Sequence, residues 1–175
     1  WNVSNVTDMH RMFSGAHSFD RAIGNWNTSK VTNMYYMFRD ARTFNQDINN
    51  WNVSNVTTMW AMFGGAYNFN QSLNSWDVSK VTNMGFLFYN ALKFNGIIRD
   101  WNVSKVKYMD YMFQGATLFN QQLGTWNVEN VTNMKGMFYY AESFNQPIGN
   151  WDTGSVTTFR RMFSFNPVFN QPIGN

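Results

Sequence analysis

The chain has 175 residues, of which 44% are hydrophobic, 19% aromatic and only 13% charged, against the roughly 25% charged that is usual for a globular domain. The absence of cysteine excludes a disulfide-stapled miniprotein, an iron–sulfur protein, a thiolate zinc site and a cysteine nucleophile. A net charge of +3, spread along the chain with no basic block, argues against a nucleic-acid partner, and no apolar run approaches the roughly 18 residues of a membrane-spanning helix.

So many aromatic residues are incompatible with a disordered tail, and their spacing shows how they are buried. The sequence repeats every 25 residues, seven times, without insertion or deletion. Trp recurs at 1, 26, 51, 76, 101, 126 and 151, and Val at 6, 31, 56, 81, 106, 131 and 156. Phe recurs at 13, 38, 63, 88, 113, 138 and 163 and again at 19, 44, 69, 94, 119, 144 and 169. A fixed period of this length is the mark of a solenoid, in which each repeat contacts only its neighbours and none stands alone. The expected organisation is therefore a single solenoid over 1–175, with units 1–25, 26–50, 51–75, 76–100, 101–125, 126–150 and 151–175. Because the chain opens on Trp1 with no initiator Met, signal, anchor or capping segments are expected to lie outside it.

Within the unit Trp26–Asn50, Ser29 precedes Val31, Met34, Met37, Phe38 and Ala41, whose spacings of three, three, one and three fall on one face of a helix. Ser29 and its equivalents Ser4, Ser54, Ser79 and Ser104 are candidate N-caps. Gly15, Gly65, Asn90 and Gly115 suit the helix end. The segment Phe44–Trp51 reads as short and extended, with Phe44, Ile48 and Trp51 pointing inward. Pro147 and Pro172 limit how regular its pairing can be. The Asn column at 45, 70, 95, 120, 145 and 170 is expected to satisfy backbone groups of adjacent turns from a buried position.

The string from Trp51 to Leu73, W-N-V-S-x-V-T-x-M-x-x-M-F-x-x-A-x-x-F-N-Q-x-L, resembles the BspA-like repeats of microbial surface proteins and lipoproteins, a family grouped with the leucine-rich repeats. The resemblance covers all seven units, although leucines are few and the last unit departs at Phe159, Phe165, Asn166 and Pro167. It implies an α/β repeat: a right-handed, leucine-rich-repeat-like solenoid with one short helix and one short strand-like segment per turn. It also implies an extracellular or cell-surface location and a role in adhesion or partner binding.

Residues that could carry chemistry are sparse. His10 and His17 lie in one unit near Asp8 and Asp20 without a closed ligand set. No serine sits in a nucleophile elbow and no carboxylate pair recurs. The expectation is no enzyme activity, no catalytic residue, no metal and no cofactor. A Thr column at 7, 32, 57, 82, 132 and 157 reads as capping rather than ice binding. Asn2, Asn5, Asn27, Asn52, Asn55, Asn102 and Asn130 match the glycosylation sequon.

The most informative polar-face feature is aromatic. Tyr35, Tyr36, Trp60, Phe86, Tyr89, Tyr111, Tyr139 and Tyr140 occupy positions that should face away from the core, where a binding surface is the functional expectation. The competing expectation is that these rings lie over neighbouring repeats as extra packing. Three uses follow: adhesion or protein binding; self-assembly of copies into a filament, sheath or surface layer; and glycan binding. No membrane insertion is expected within this segment.

Overall fold

The computed structural model describes residues 1–174. Each 25-residue unit forms one coil, and the coils lie on one another in register. Asp8 pairs with Asn33, Asn33 with Thr58, and the series continues through Asn83, Tyr108 and Asn133 to Thr158, always in parallel. These single-residue bridges are the only β pairing among the described residues, and no helix occurs among them. The expected α/β repeat, leucine-rich-repeat-like with a helix in every turn, is therefore overturned.

The hydrogen bonds of the second coil show what replaces the helix. The N–H groups of Met37, Arg39 and Ala41 donate three residues back, to Met34, Tyr36 and Phe38 at 3.2, 3.1 and 3.0 Å. Those of Met34, Tyr36, Phe38 and Asp40 leave the coil and reach Thr58, Trp60, Met62 and Gly64 of the next one at 3.3, 3.1, 2.8 and 2.7 Å. An α-helix would keep all of them within one segment, four residues back. Here alternate amides close tight turns and the others stitch coil to coil.

The backbone angles account for this alternation. Two residues per coil, four apart, take left-handed φ. One column is Arg11, Tyr36, Ala61, Phe86, Tyr111, Gly136 and Arg161; the other is Gly15, Asp40, Gly65, Asn90, Gly115, Tyr140 and Phe165. A left-handed residue ends a right-handed helix, so the glycines expected to close a helix instead sit inside a run of turns. The spacing deceived because a turn repeating every four residues brings Met34, Met37, Phe38 and Ala41 to one side, as a helix would. Left-handed backbone costs on the order of 1–2 kcal/mol for each residue with a side chain. The coil-to-coil hydrogen bonds and the packed core beneath must offset it.

Corners are held by side chains acting as backbone acceptors. The Oδ1 atoms of Asn2, Asn27, Asn52, Asp77, Asn102, Asn127 and Asp152 accept the N–H two residues on in every coil. The serines read as helix caps are thus the recipients of a cap: it is Asn27 that binds the Ser29 N–H, at 3.1 Å. The Asn column forms a ladder, each Oδ1 accepting the backbone N–H of its counterpart one coil on, from Asp20 to Asn45 and through to Asn170. It lies at the surface and not in the core.

The core is one continuous cluster from Val3 to Met162. Phe38 stacks on Phe44 within its coil at 4.1 Å and on Phe63 of the next at 5.6 Å, and Trp26 on Trp51 at 6.2 Å. Stacked pairs of this kind contribute about 0.5–1.5 kcal/mol beyond their burial. The indole N–H of Trp51, Trp76, Trp101, Trp126 and Trp151 each donates to a buried backbone carbonyl. Among the described residues no buried side-chain nitrogen or oxygen lacks a partner.

Candidate functional site: an aromatic edge

The turn run sets which side chains reach the surface. Around Phe38, the residues Met34, Met37, Phe38 and Ala41 are fully buried, and the intervening pairs, Tyr35 with Tyr36 and Arg39 with Asp40, point the other way. Repetition stacks these outward pairs into an edge along the coils. The sequence-selected rings all lie on it.

Six of the eight form one connected row. Tyr35 stacks on Trp60 at 5.1 Å and Tyr36 meets the same indole edge-on at 4.8 Å. Trp60 contacts Phe86 at 5.1 Å, and Phe86 contacts Tyr89 at 5.5 Å and Tyr111 at 4.9 Å. His10 extends the row at its start, edge-on to Tyr35 at 4.9 Å. Tyr139 and Tyr140 belong to a second group, in which Tyr140 stacks on Phe165 at 4.6 Å and Tyr139 meets it at 5.7 Å. Phe165, 63% exposed, joins this group although sequence reasoning noted it only as a departure from the repeat. Its place in the Tyr140 column was the available signal.

The rings are less exposed than a contact surface drawn from sequence alone would have them. Tyr36 is only 8% exposed, covered by the guanidinium groups of Arg39 and Arg11, which lie 4.5 and 5.2 Å from its ring centre. Burial, followed by the hydrogen bond with Tyr35, raises its phenol pKa. Tyr140 is 39% exposed, and the other six are half-buried. The edge therefore combines ring-on-ring packing with partly open ring faces. Cations decorate it further, Lys135 over Tyr111 at 5.3 Å and Arg161 over Tyr139 at 5.9 Å. Asp110, next to Tyr111, has its carboxyl pKa raised by burial.

A notch of about 210 Å³ lies beside the row at the third coil, lined among others by Tyr36, Trp60, Phe86 and Tyr89 with Arg39, Asp40 and Asn90. A wider depression of about 610 Å³ lies between Trp151, Phe159, Met162, Phe163 and Ile173 of the seventh coil.

The other columns are occupied with holding the fold. Thr32, Thr57, Thr82, Thr132 and Thr157 donate their hydroxyls to carbonyls of the preceding coil. The seven sequon asparagines are all exposed, and the Nδ2 groups of Asn55 and Asn130 are hydrogen-bonded to the carbonyls of Ser29 and Ser104. His17 Nδ1 is 2.8 Å from the Asp40 carbonyl. No group of three or more metal-ligating side chains comes together among the described residues.

The family model described as "Mycoplasma protein of unknown function, DUF285" matches residues 1–99 and, in a second overlapping match, residues 71–175. The chain belongs to this family. Each of the two DUF285 matches spans about four coils, so the model describes a block of repeats, in keeping with the strict period of the sequence. No curated protein matches the chain, and no solved structure does.

Proposed function

We propose that this DUF285 chain is a non-enzymatic repeat domain displayed at the cell surface, where its aromatic edge binds a partner protein in adhesion. The observation that carries this reading is the placement of Tyr36, Phe86 and Tyr111 at left-handed backbone positions, with φ of 58, 58 and 55°. Bulky residues are rare there because the side chain crowds its own backbone. Gly136 fills the same column in the sixth coil, where a Cβ would collide with the Tyr111 ring. Rings kept at such a cost, with Phe86 and Tyr111 half-buried beside the covered Tyr36, are suited to anchoring a partner, where tyrosine and tryptophan dominate binding energy. Surface display rests on the similarity to BspA-like repeats.

The test uses adhesion of the purified chain to immobilised extracellular-matrix proteins and to cultured cells, with Trp60→Ala and Tyr111→Ala variants. A tenfold or greater loss of binding, with unchanged size by light scattering, is the expected result. Equal binding by all three proteins would contradict the reading.

A further inference from the structure

We propose that the notch above the third coil is a carbohydrate subsite that takes one pyranose ring; this rests on the adhesion reading and deepens it by making a sugar carried on the partner protein part of what the edge grips. The notch arises from three substitutions in a single coil. Where the second and fourth coils carry Tyr36 and Phe86, Arg39 and Tyr89, and Asp40 and Asn90, the third carries Ala61, Gly64 and Gly65. Larger side chains therefore stand on both sides of a gap one coil wide.

Its lining is of two kinds. Trp60, Phe86 and Tyr89 supply apolar ring surface, and Arg39 and Asp40 supply a guanidinium and a carboxylate, while the Asn90 carboxamide oxygen turns towards Gly115 of the fifth coil. Gly64 lies in the lining: the nearest atoms to a Cβ there would be those of Ala61 and the Phe86 carbonyl oxygen, at 3.4–3.6 Å. Gly65 lies directly under the Asp40 carboxylate, which a Cβ at that position would strike.

This combination selects among ligands. A purely apolar ligand would strip water from Arg39 and Asp40 without replacing it. A cationic ligand would meet Arg39, which already covers the Tyr36 ring at 4.5 Å and reaches Asp40 Oδ2 at 3.5 Å, and Arg42, which covers Tyr67 at 5.5 Å. A drug-sized molecule needs about 300–1,000 Å³, more than the notch offers. A pyranose satisfies all three constraints: its C–H face lies against a ring, and its hydroxyls both donate to the Asp40 carboxylate and accept from the Arg39 guanidinium N–H groups.

The test is saturation-transfer NMR on the full chain with galactose, mannose and N-acetylglucosamine and their short oligomers, alongside amide shift mapping. The expected result is transfer to at least one sugar ring, with shifts at Gly64, Gly65 and the Trp60 indole. Gly64→Gln fills the notch with a residue the fold carries at the equivalent Gln114, and should reduce binding at least tenfold at an unchanged melting temperature. No transfer to any of these sugars, transfer that survives Gly64→Gln, or the same amide shifts elicited only by a tryptophan-containing peptide would each overturn the proposal. Sugar binding lost in Gly64→Gln while Trp60→Ala and Tyr111→Ala leave adhesion intact would remove the adhesion reading alone. Adhesion that depends on Trp60 and Tyr111 with no sugar bound would remove only the subsite.

Discussion

The Oδ1 atom of Asn120 accepts both the backbone N–H of Asn145 and the Nε2–H of Gln146, each at 3.0 Å. One side chain thus binds main chain and side chain of the next coil. Asn120→Ala should destabilise the protein by about 1–3 kcal/mol, because a half-buried amide loses its acceptor. Asn120→Asp keeps the acceptor oxygen and should cost well under half as much; Asp20 already fills this role for Asn45 and Gln46 at 2.9 and 2.8 Å. Urea unfolding of the two variants checks the contrast, and equal losses would mean that the ladder contributes through something other than acceptance.

Gly136 tests the cost of the left-handed column. It has φ of 58°, and a Cβ there would collide with the Tyr111 ring. Gly15 has φ of 73° and nothing within 4 Å of its virtual Cβ. Gly15→Ala should cost the backbone term alone, about 1–2 kcal/mol. Gly136→Ala should cost more, and the excess should vanish when Tyr111→Ala removes the ring. A thermal-melt double-mutant cycle measures that excess.

Two carboxylates shape the pH response in opposite directions. The Ser79 hydroxyl and N–H hold Asp77 below the usual carboxylate pKa, so its contribution is present above the unfolded-state value and is lost as pH falls through the lowered one. Burial raises the pKa of Asp110, so its contribution is full below the unfolded-state value and is lost as pH rises through the raised one. Asp110→Asn should therefore melt higher than wild type at pH 7, with the difference shrinking towards pH 3. Asp77→Asn, which restores the residue used at Asn52 and Asn102, should lessen the acid loss of stability. Melting curves from pH 3 to 7 decide both.

Much of this was legible from the period alone. The columns of Trp51, Val56, Phe63 and Phe69 were assigned to the core from spacing, and all four are buried. The Asn column was expected to satisfy neighbouring turns, and it does so from the surface. The helical expectation fails because Met34, Met37, Phe38 and Ala41 share their spacing with a helical face, while the contrary signal lies in left-handed φ angles at which Gly15, Gly65, Gly115 and Gly136 hint. The eight rings share one edge of the coils. That Tyr36 is buried under Arg39 and Arg11 depends on contacts between coils, which no single repeat unit specifies. The notch was likewise hidden, since Ala61, Gly64 and Gly65 are unremarkable until the flanking coils stand beside them.

The claim on which the aromatic edge rests is that the amides of Tyr36 and Phe86 bond across coils, to Trp60 and Asp110 at 3.1 and 2.8 Å. Scalar couplings through hydrogen bonds, measured by NMR on deuterated protein, identify the acceptor of each amide directly. Couplings from Tyr36 to the Trp60 carbonyl and from Phe86 to that of Asp110 are predicted. Couplings from the same amides to Thr32 and Thr82, four residues back, would restore a helix in each repeat and contradict the account.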